Sequence, residues 1–298
     1  MILSDFSYAP SYNKVDQDIA ELFYLPCMRS AVKYDRISGY FGSTIYIIAW
    51  DALKEFIMNG GKMRIICSPY LSEADEAALA QGYSARNDEI LSQAIEAEVS
   101  AMFASPNLSA PSRLLAYLVS EGIIDVKLAI PTSKVAASAK RLFHDKVGIF
   151  FDYTGNSVGF RGSMNETFKG ISSYGNIESI DVFPSWMDGR DMQRVKEATE
   201  FFEDLWNYDI PGIAVYPFPI AAKEILKAKA SNANWEELLD EIRIIESTSE
   251  KWRPSKAPGA KNPRPHQTNA LEAWVAHGRR GIFEHATGSG KTFTAMCH

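Results

Sequence analysis

Four polar side chains near the middle of the chain are of the kinds that phosphate chemistry uses. His144 and Lys146 stand two residues apart in FHDKVGIFFDY, and Ser163 and Asn165 stand two apart in SVGFRGSMNET. An imidazole can act as a nucleophile, while ammonium, hydroxyl and amide groups offer donors to the non-bridging oxygens of a phosphodiester. Both stretches otherwise read as buried strand. In a strand, residues i and i+2 point to one face, so His144 and Lys146 share a face and Val147 and Ile149 take the other. Ser163 and Asn165 share a face at the end of the second strand. If the turn at Thr154-Gly155-Asn156 makes the two strands neighbours, the four groups converge on one patch.

A second stretch with chemical potential is ATGSGKT, Ala286–Thr292. An apolar strand, GIFEH, runs into a turn containing Gly288 and Gly290. Such a turn before a helix points backbone N–H groups inward, where they can cradle phosphates. Lys291 would neutralise the β and γ phosphates, and Thr292 would hold Mg²⁺. The strict phosphate-loop pattern has one more glycine, at the position that His285 occupies here.

The elements that must carry these groups follow from hydrophobic periodicity. KYDRISGYF (33–41) reads as a strand, and STIYIIAWDALKEFIMNGG as a helix capped by Ser43 and ended by Gly60 and Gly61. KMRIICSPY is a continuous apolar strand of the kind buried on both faces. Strand, helix and strand together predict a βαβ unit and an α/β fold. Residues 73–121 are helical in composition, with Pro106 and Pro111 as breaks. DVKLAI and NIESIDVF are further strands, and MQRVKEATEFFEDLW is an amphipathic helix with Val195, Phe202, Leu205 and Trp206 along one stripe. After Pro211 two helical stretches follow, the second with Trp235, Leu238, Leu239, Ile242 and Ile245 near helical spacing. STSEKWRPSKAPGAKNPRP then reads as a linker rich in proline and lysine. The expected division is 1–215 for an α/β domain, 216–248 for a helical segment, 249–265 for the linker and 266–298 for the beginning of another domain.

Bulk properties narrow the class. A length of 298 residues, with 46% hydrophobic and 23% charged, is that of a globular protein with a sizeable core. The net charge of −6 excludes a globally basic nucleic-acid binder, so any such surface must be local. Lys134, Lys140 and Arg141, ahead of His144, could form one. Cys27, Cys67 and Cys297 make neither a CxxC pair nor an even framework, which points to a reducing compartment and away from structural zinc. The N-terminus lacks a signal-peptide pattern, and the apolar run STIYIIAW is too short to span a bilayer. A cytoplasmic protein with no membrane partner is expected.

HDK (His144–Lys146) followed by GSMN (Gly162–Asn165) resembles the paired motif of the phospholipase D superfamily, His-x-Lys and Gly-Ser-x-Asn. Glu178, in NIESI, is similar to the downstream glutamate that orients the catalytic histidine in the nuclease branch. The acidic residue that often lies between the two halves would fall at Phe151, with Asp152 one residue on. SGYFGS and GGKMRIICSPYLSEAD resemble the opening of phospholipase D-like domains fused to helicases, and the looser likeness covers about residues 30–210. EHATGSGKT resembles the first motif of superfamily 2 helicases and of type I and III restriction motors. Gln267, in RPHQTNALEAW, is similar to the glutamine that contacts adenine there.

These resemblances imply a fold and a reaction. The fold is a phospholipase D-like mixed β-sheet flanked by helices. A helical segment, the linker and the first strand and loop of a RecA-like motor domain follow it. His144 would attack phosphorus, Lys146 and Asn165 would bind the phosphate, and Ser163 would assist, with no metal or other cofactor. That mechanism needs a second imidazole to protonate the leaving oxygen, yet His144 is the one histidine before residue 266. A symmetric homodimer sharing one site is therefore expected. The motor would use ATP and Mg²⁺, held by Gln267, Gly288, Gly290, Lys291 and Thr292. The chain stops six residues after Thr292, so it is expected to be the N-terminal part of a longer ATP-driven protein. The expected activity is a metal-independent DNA endonuclease in restriction or phage defence. Two alternatives stay open: a degenerate module that dimerises and binds DNA for the motor, and a lipid or other phosphodiesterase.

Overall fold

In a computed structural model of the chain, the residues described are 1–39, 46–68, 84–104, 109–131, 145–165, 167, 176–187, 189–208, 210–231 and 234–248. The chain forms two compact units, Met1–Ser249 and Glu250–His298. The second unit, which holds most of the expected linker and all of the expected motor start, lies outside the described residues.

Eight strands of the first unit make one mixed sheet. They are β1 (Ser11–Asn13), β2 (Lys33–Ser38), β3 (Lys62–Cys67), β4 (Ile124–Pro131), β5 (Val147–Phe151), β6 (Ser157–Gly162), β7 (Ser179–Pro184) and β8 (Ile213–Pro217). Their spatial order is β1-β7-β6-β5-β2-β3-β4-β8. The central strands β2, β3 and β4 run parallel, with Lys33 opposite Lys62 and Met63 opposite Ile124. The remaining pairs are antiparallel. The predicted βαβ unit is present: β2 leads through α2 (Tyr46–Met58) to its parallel neighbour β3. Gly60, at φ +72°, ends the helix in the left-handed conformation that glycine adopts without strain.

Strand parity divides the core in two. Tyr34, Phe150, Val158, Phe160, Ile180 and Val182 face a large cluster. It is roofed by α1 (Leu25–Ser30), α2, α3 (Ser84–Ala104) and α4 (Ser109–Ser120), and by α6 (Ile220–Ala230) and α7 (Trp235–Thr248). Ile37, Ile149, Val147 and Phe183 face a smaller cluster under α5 (Gly189–Trp206), whose stripe is Val195, Ala198, Phe202 and Leu205. Helices α6 and α7 contribute Leu226, Leu238 and Ile242 to the larger cluster. Residues 216–248 therefore belong to the same unit as 1–215, and β8 extends the sheet beside β4.

Helix α5 is fastened by charge as well as by apolar contact. Arg64 of β3 makes a double hydrogen bond to the fully buried Asp35 at 2.7 and 2.7 Å, and another to Glu203 of α5 at 3.1 and 2.6 Å. Lys33 reaches the same two carboxylates at 2.9 and 3.5 Å. A forked guanidinium shared by two carboxylates is the arrangement that best repays the desolvation of buried charge.

Candidate active site

The expected hairpin is β5 and β6. Lys146 immediately precedes β5, and its carbonyl accepts a hydrogen bond from the Gly162 amide at 3.3 Å. Gly162 is therefore the cross-strand neighbour of Lys146, continuing the register in which Val147 opposes Arg161. Side chains directly opposite one another share a face. Lys146 thus lies on the face of Phe160, Met164 and Glu178, and it is buried.

This register corrects the parity expectation for Ser163. One residue beyond Gly162, Ser163 turns to the opposite side and is exposed. Its hydroxyl accepts the Ser179 amide at 3.2 Å, and its own amide donates to the Ser179 carbonyl at 3.1 Å. The hydroxyl thus helps to join β6 to β7 as an acceptor and keeps its own O–H to donate. Asn165 reaches the Lys146 end of the sheet by another route. The ladder stops at Gly162, Met164 plunges into the core with no exposed surface, and Asn165 Oδ1 accepts the Gly39 amide at 3.3 Å. Gly39 follows Ser38, the last residue of β2, whose Ile37 opposes Val147. Asn165 is therefore delivered by the exit of the loop, across the end of β2, and not by strand alternation.

Glu178 immediately precedes β7 and is buried. Its carbonyl accepts the amide of Lys14, the residue after β1, at 3.0 Å, and Lys14 is itself buried. A row of charged side chains therefore crosses one end of the sheet on the larger core's side: Lys14 after β1, Glu178 before β7, Lys146 before β5 and Arg36 within β2. Burial pushes the Lys146 ammonium below the usual lysine range and the nearby Arg36 charge adds to this, while Glu178 and Asp145 pull it back up. Burial likewise lowers the Lys14 ammonium, opposed by Glu178 and Asp18. A lysine poised in this way, with cations on both sides of one carboxylate, suits capture of an anion.

The structure thus brings Lys146, Asn165 and Glu178 to one end of the sheet and sets Ser163 on its other side. His144 lies outside the described residues, as do Lys134, Lys140 and Arg141, and as do Gln267, Gly288, Gly290, Lys291 and Thr292. Asp152 stands at the opposite end of β5 from Lys146 and has a different task. Its carboxylate accepts hydrogen bonds from the Leu3 amide (2.9 Å), the Thr154 amide and hydroxyl (2.9 and 2.7 Å) and the Asn156 amide (3.0 Å). Arg36 and Lys14 were missed in the sequence. The available signal was a positive charge inside an otherwise strand-like run, KYDRIS, and one beside a short strand, SYNK. Among the described residues, no three His, Cys, Asp or Glu side chains stand together as a metal site, and no helix is long and apolar enough to cross a membrane.

Comparison with known proteins gives two likenesses. Residues 260–297 match the family described as type III restriction enzyme, res subunit. Among solved structures, the chain is similar to the crystal structure of a phospholipase D family member, Nuc from Salmonella typhimurium. That match has 15% identity, covers 66% of this chain and 91% of the other, and has a TM-score of 0.35. No curated protein matches the chain in sequence.

Proposed function

We propose that the first unit is a phosphodiesterase of the phospholipase D type that cuts DNA, joined to the beginning of a restriction-type motor. The observation that carries this reading is the convergence of Lys146, Asn165 and Glu178 at one sheet end, next to the residue that follows His144 in sequence. The match of residues 260–297 to a restriction subunit supports nucleic acid as the substrate.

In the proposed reaction, the His144 imidazole attacks phosphorus as a P–O bond to the leaving sugar oxygen breaks. A histidine of a second copy gives that oxygen its proton. Water then attacks the phosphohistidine, the P–N bond breaks, and the water's proton passes to the same second histidine, restoring the start. Lys146 and Asn165 hold the non-bridging oxygens, Glu178 orients His144, and Ser163 fixes the β6–β7 join from which the motif leaves. A homodimer completes the site, because His144 is the one histidine before residue 266. In the longer protein, ATP with Mg²⁺ would be held by Gln267, Gly288, Gly290, Lys291 and Thr292. A role in restriction or phage defence inside the cell fits that combination.

The test is cleavage of plasmid DNA in EDTA by the wild-type chain, His144→Ala and Lys146→Met. Cutting by the wild type alone, with a covalent phosphoenzyme trapped after a denaturing quench of a slow substrate in SDS at alkaline pH, is the expected result. Retained DNA binding without cutting would favour a degenerate DNA-binding module. Hydrolysis of phosphatidylcholine without DNA cleavage would favour a lipid phosphodiesterase.

A further inference from the structure

Arg36 lies in β2 with no exposed surface, and the reaction above leaves it without a role. Taking a guanidinium out of water is costly unless its surroundings repay it. Its cross-strand partner is Gly148, which has no room for a side chain, because a Cβ there would meet the Phe160 ring at 2.2 Å. The guanidinium occupies the space over that strand. Its Cζ lies 5.0 Å from the centre of the Phe160 ring, and Nη2 donates to the carbonyl of Met164. Met164 stands between Ser163 and Asn165, and three residues past Arg36 the Gly39 amide donates to Asn165 Oδ1 at 3.3 Å. The β2 strand and the residue after it therefore grip the motif twice, by its main chain and by its amide side chain.

We propose that Arg36 is a positioning residue of the phosphodiester site, fixing the Met164–Asn165 segment against β2 and adding a permanent positive charge beside Lys146. The inference rests on the phosphodiesterase reading. As the imidazole gives its electron pair to phosphorus, the negative charge on the phosphoryl group grows from one towards two. A fixed cation nearby stabilises that state more than it stabilises the bound diester, so its loss falls on kcat more than on KM. Arg36 is close enough to help lower the Lys146 ammonium's proton affinity, against the pull of Glu178 from β7 and Asp145 beside it. Lys14, beside Glu178 just after β1, is the other charged group in the row.

The test compares full-length wild type, Arg36→Gln, Arg36→Lys and Phe160→Leu on a short DNA substrate in EDTA, alongside thermal melts with and without inorganic phosphate. Misplacing a reacting group by an ångström costs about 100-fold, and a kcat loss of that order with little change in KM is expected for Arg36→Gln. Arg36→Lys, which restores the charge without the fork, recovers part of it. The titration of the Lys146 amine itself, followed by NMR of isotope-labelled lysine, moves to higher pH in Arg36→Gln and stays in place in Phe160→Leu. A loss confined to KM, or a Lys146 titration that does not move in Arg36→Gln, overturns the proposal. If the arginine variants do not fold, Phe160→Leu decides: lowered kcat supports the role, and unchanged kcat overturns it. If the wild type cuts nothing, the parent reading has failed and the melts decide. Phosphate stabilisation of the wild type that is weaker in Arg36→Gln supports positioning of an anion site, and equal stabilisation overturns it.

Discussion

Replacing Gly162 by alanine perturbs the point where β6 ends and the motif leaves the sheet. A Cβ at Gly162 would lie 2.0 Å from the carbonyl oxygen of Ser179, 2.8 Å from Ile180 Cα and 3.0 Å from Ile180 Cγ2. Ordinary contact begins at 3.4 Å, so the shortest gap must open by 3.4 − 2.0 = 1.4 Å. Two of the three obstructing atoms are β7 main chain, so no side-chain rotation relieves the clash. The strand must move, which pulls on the 3.1 Å and 3.2 Å hydrogen bonds between Ser163 and Ser179. Overpacking a filled site costs about 1–3 kcal/mol and a net lost hydrogen bond about 1 kcal/mol, so a loss of roughly 2–4 kcal/mol is expected. At about 2–4 °C per kcal/mol for a domain of this size, the melting temperature falls by roughly 5–15 °C. Because Glu178 adjoins the displaced Ser179, DNA cleavage per folded molecule should fall by about 100-fold as well. Gly155→Ala is the control. Gly155 has φ +90° and nothing within 4 Å of a Cβ, so its cost is the left-handed strain alone, about 1–2 kcal/mol, with activity unchanged. If Gly162→Ala melts with the wild type within the scatter of repeat scans, the close approach does not constrain the join and the reasoning is wrong.

Three further outcomes follow from the same geometry. Asp152→Ala should cost about 2–4 kcal/mol, because it removes a carboxylate that binds the Leu3, Thr154 and Asn156 amides, and it should speed hydrogen exchange at Leu3. The same variant should cut DNA normally per folded molecule, and a catalytic defect with intact folding would return Asp152 to the site. The Glu203 carboxyl is held below its usual range first by hydrogen bonds from Arg64, against burial, with the Arg64 and Lys33 charges assisting. Its stabilising contribution is therefore complete above the unfolded value near pH 4.3 and fades as pH falls through the lower folded value, so in urea melts the deficit of Glu203→Gln should shrink between about pH 7 and pH 3. Burial pushes the Cys27 thiol up to about 12, opposed by its contact with the Tyr8 hydroxyl; peptide mapping after iodoacetamide near pH 8 should find Cys27 alkylated in denaturant alone.

Much of the fold was legible because its parts obey simple periods. The stripe Val195, Phe202 and Leu205 predicted α5, the apolar run of KMRIIC predicted a strand covered on both faces, and Gly60 marked the end of α2. What escaped was decided by distant partners. β1 has three residues and exists as a strand because Tyr12 pairs with Ile180. β8 follows the change of texture at Pro211, and its half-exposed pattern gains meaning only from pairing with β4. For the same reason the sequence set 216–248 apart as a helical segment, while its helices pack on the larger core.

The site shows where local reasoning about alternation ends. Parity holds as far as both strands remain in their ladder, and it carries Lys146 to the face of Phe160, Met164 and Glu178. It fails by one residue at Ser163, since the register sets Gly162 opposite Lys146. The motif keeps its small residues there for a packing reason. Gly162 allows β7 to close in, and Ser163 ties its own hydroxyl to that strand. Asn165 arrives through a turn that spends its geometry on β2, through the Arg36 bond to the Met164 carbonyl and the Gly39 amide. Those contacts join residues more than a hundred positions apart, which no spacing rule can express. The burial of Arg36 is invisible in KYDRIS, yet its bond to the Met164 carbonyl ties the loop to β2.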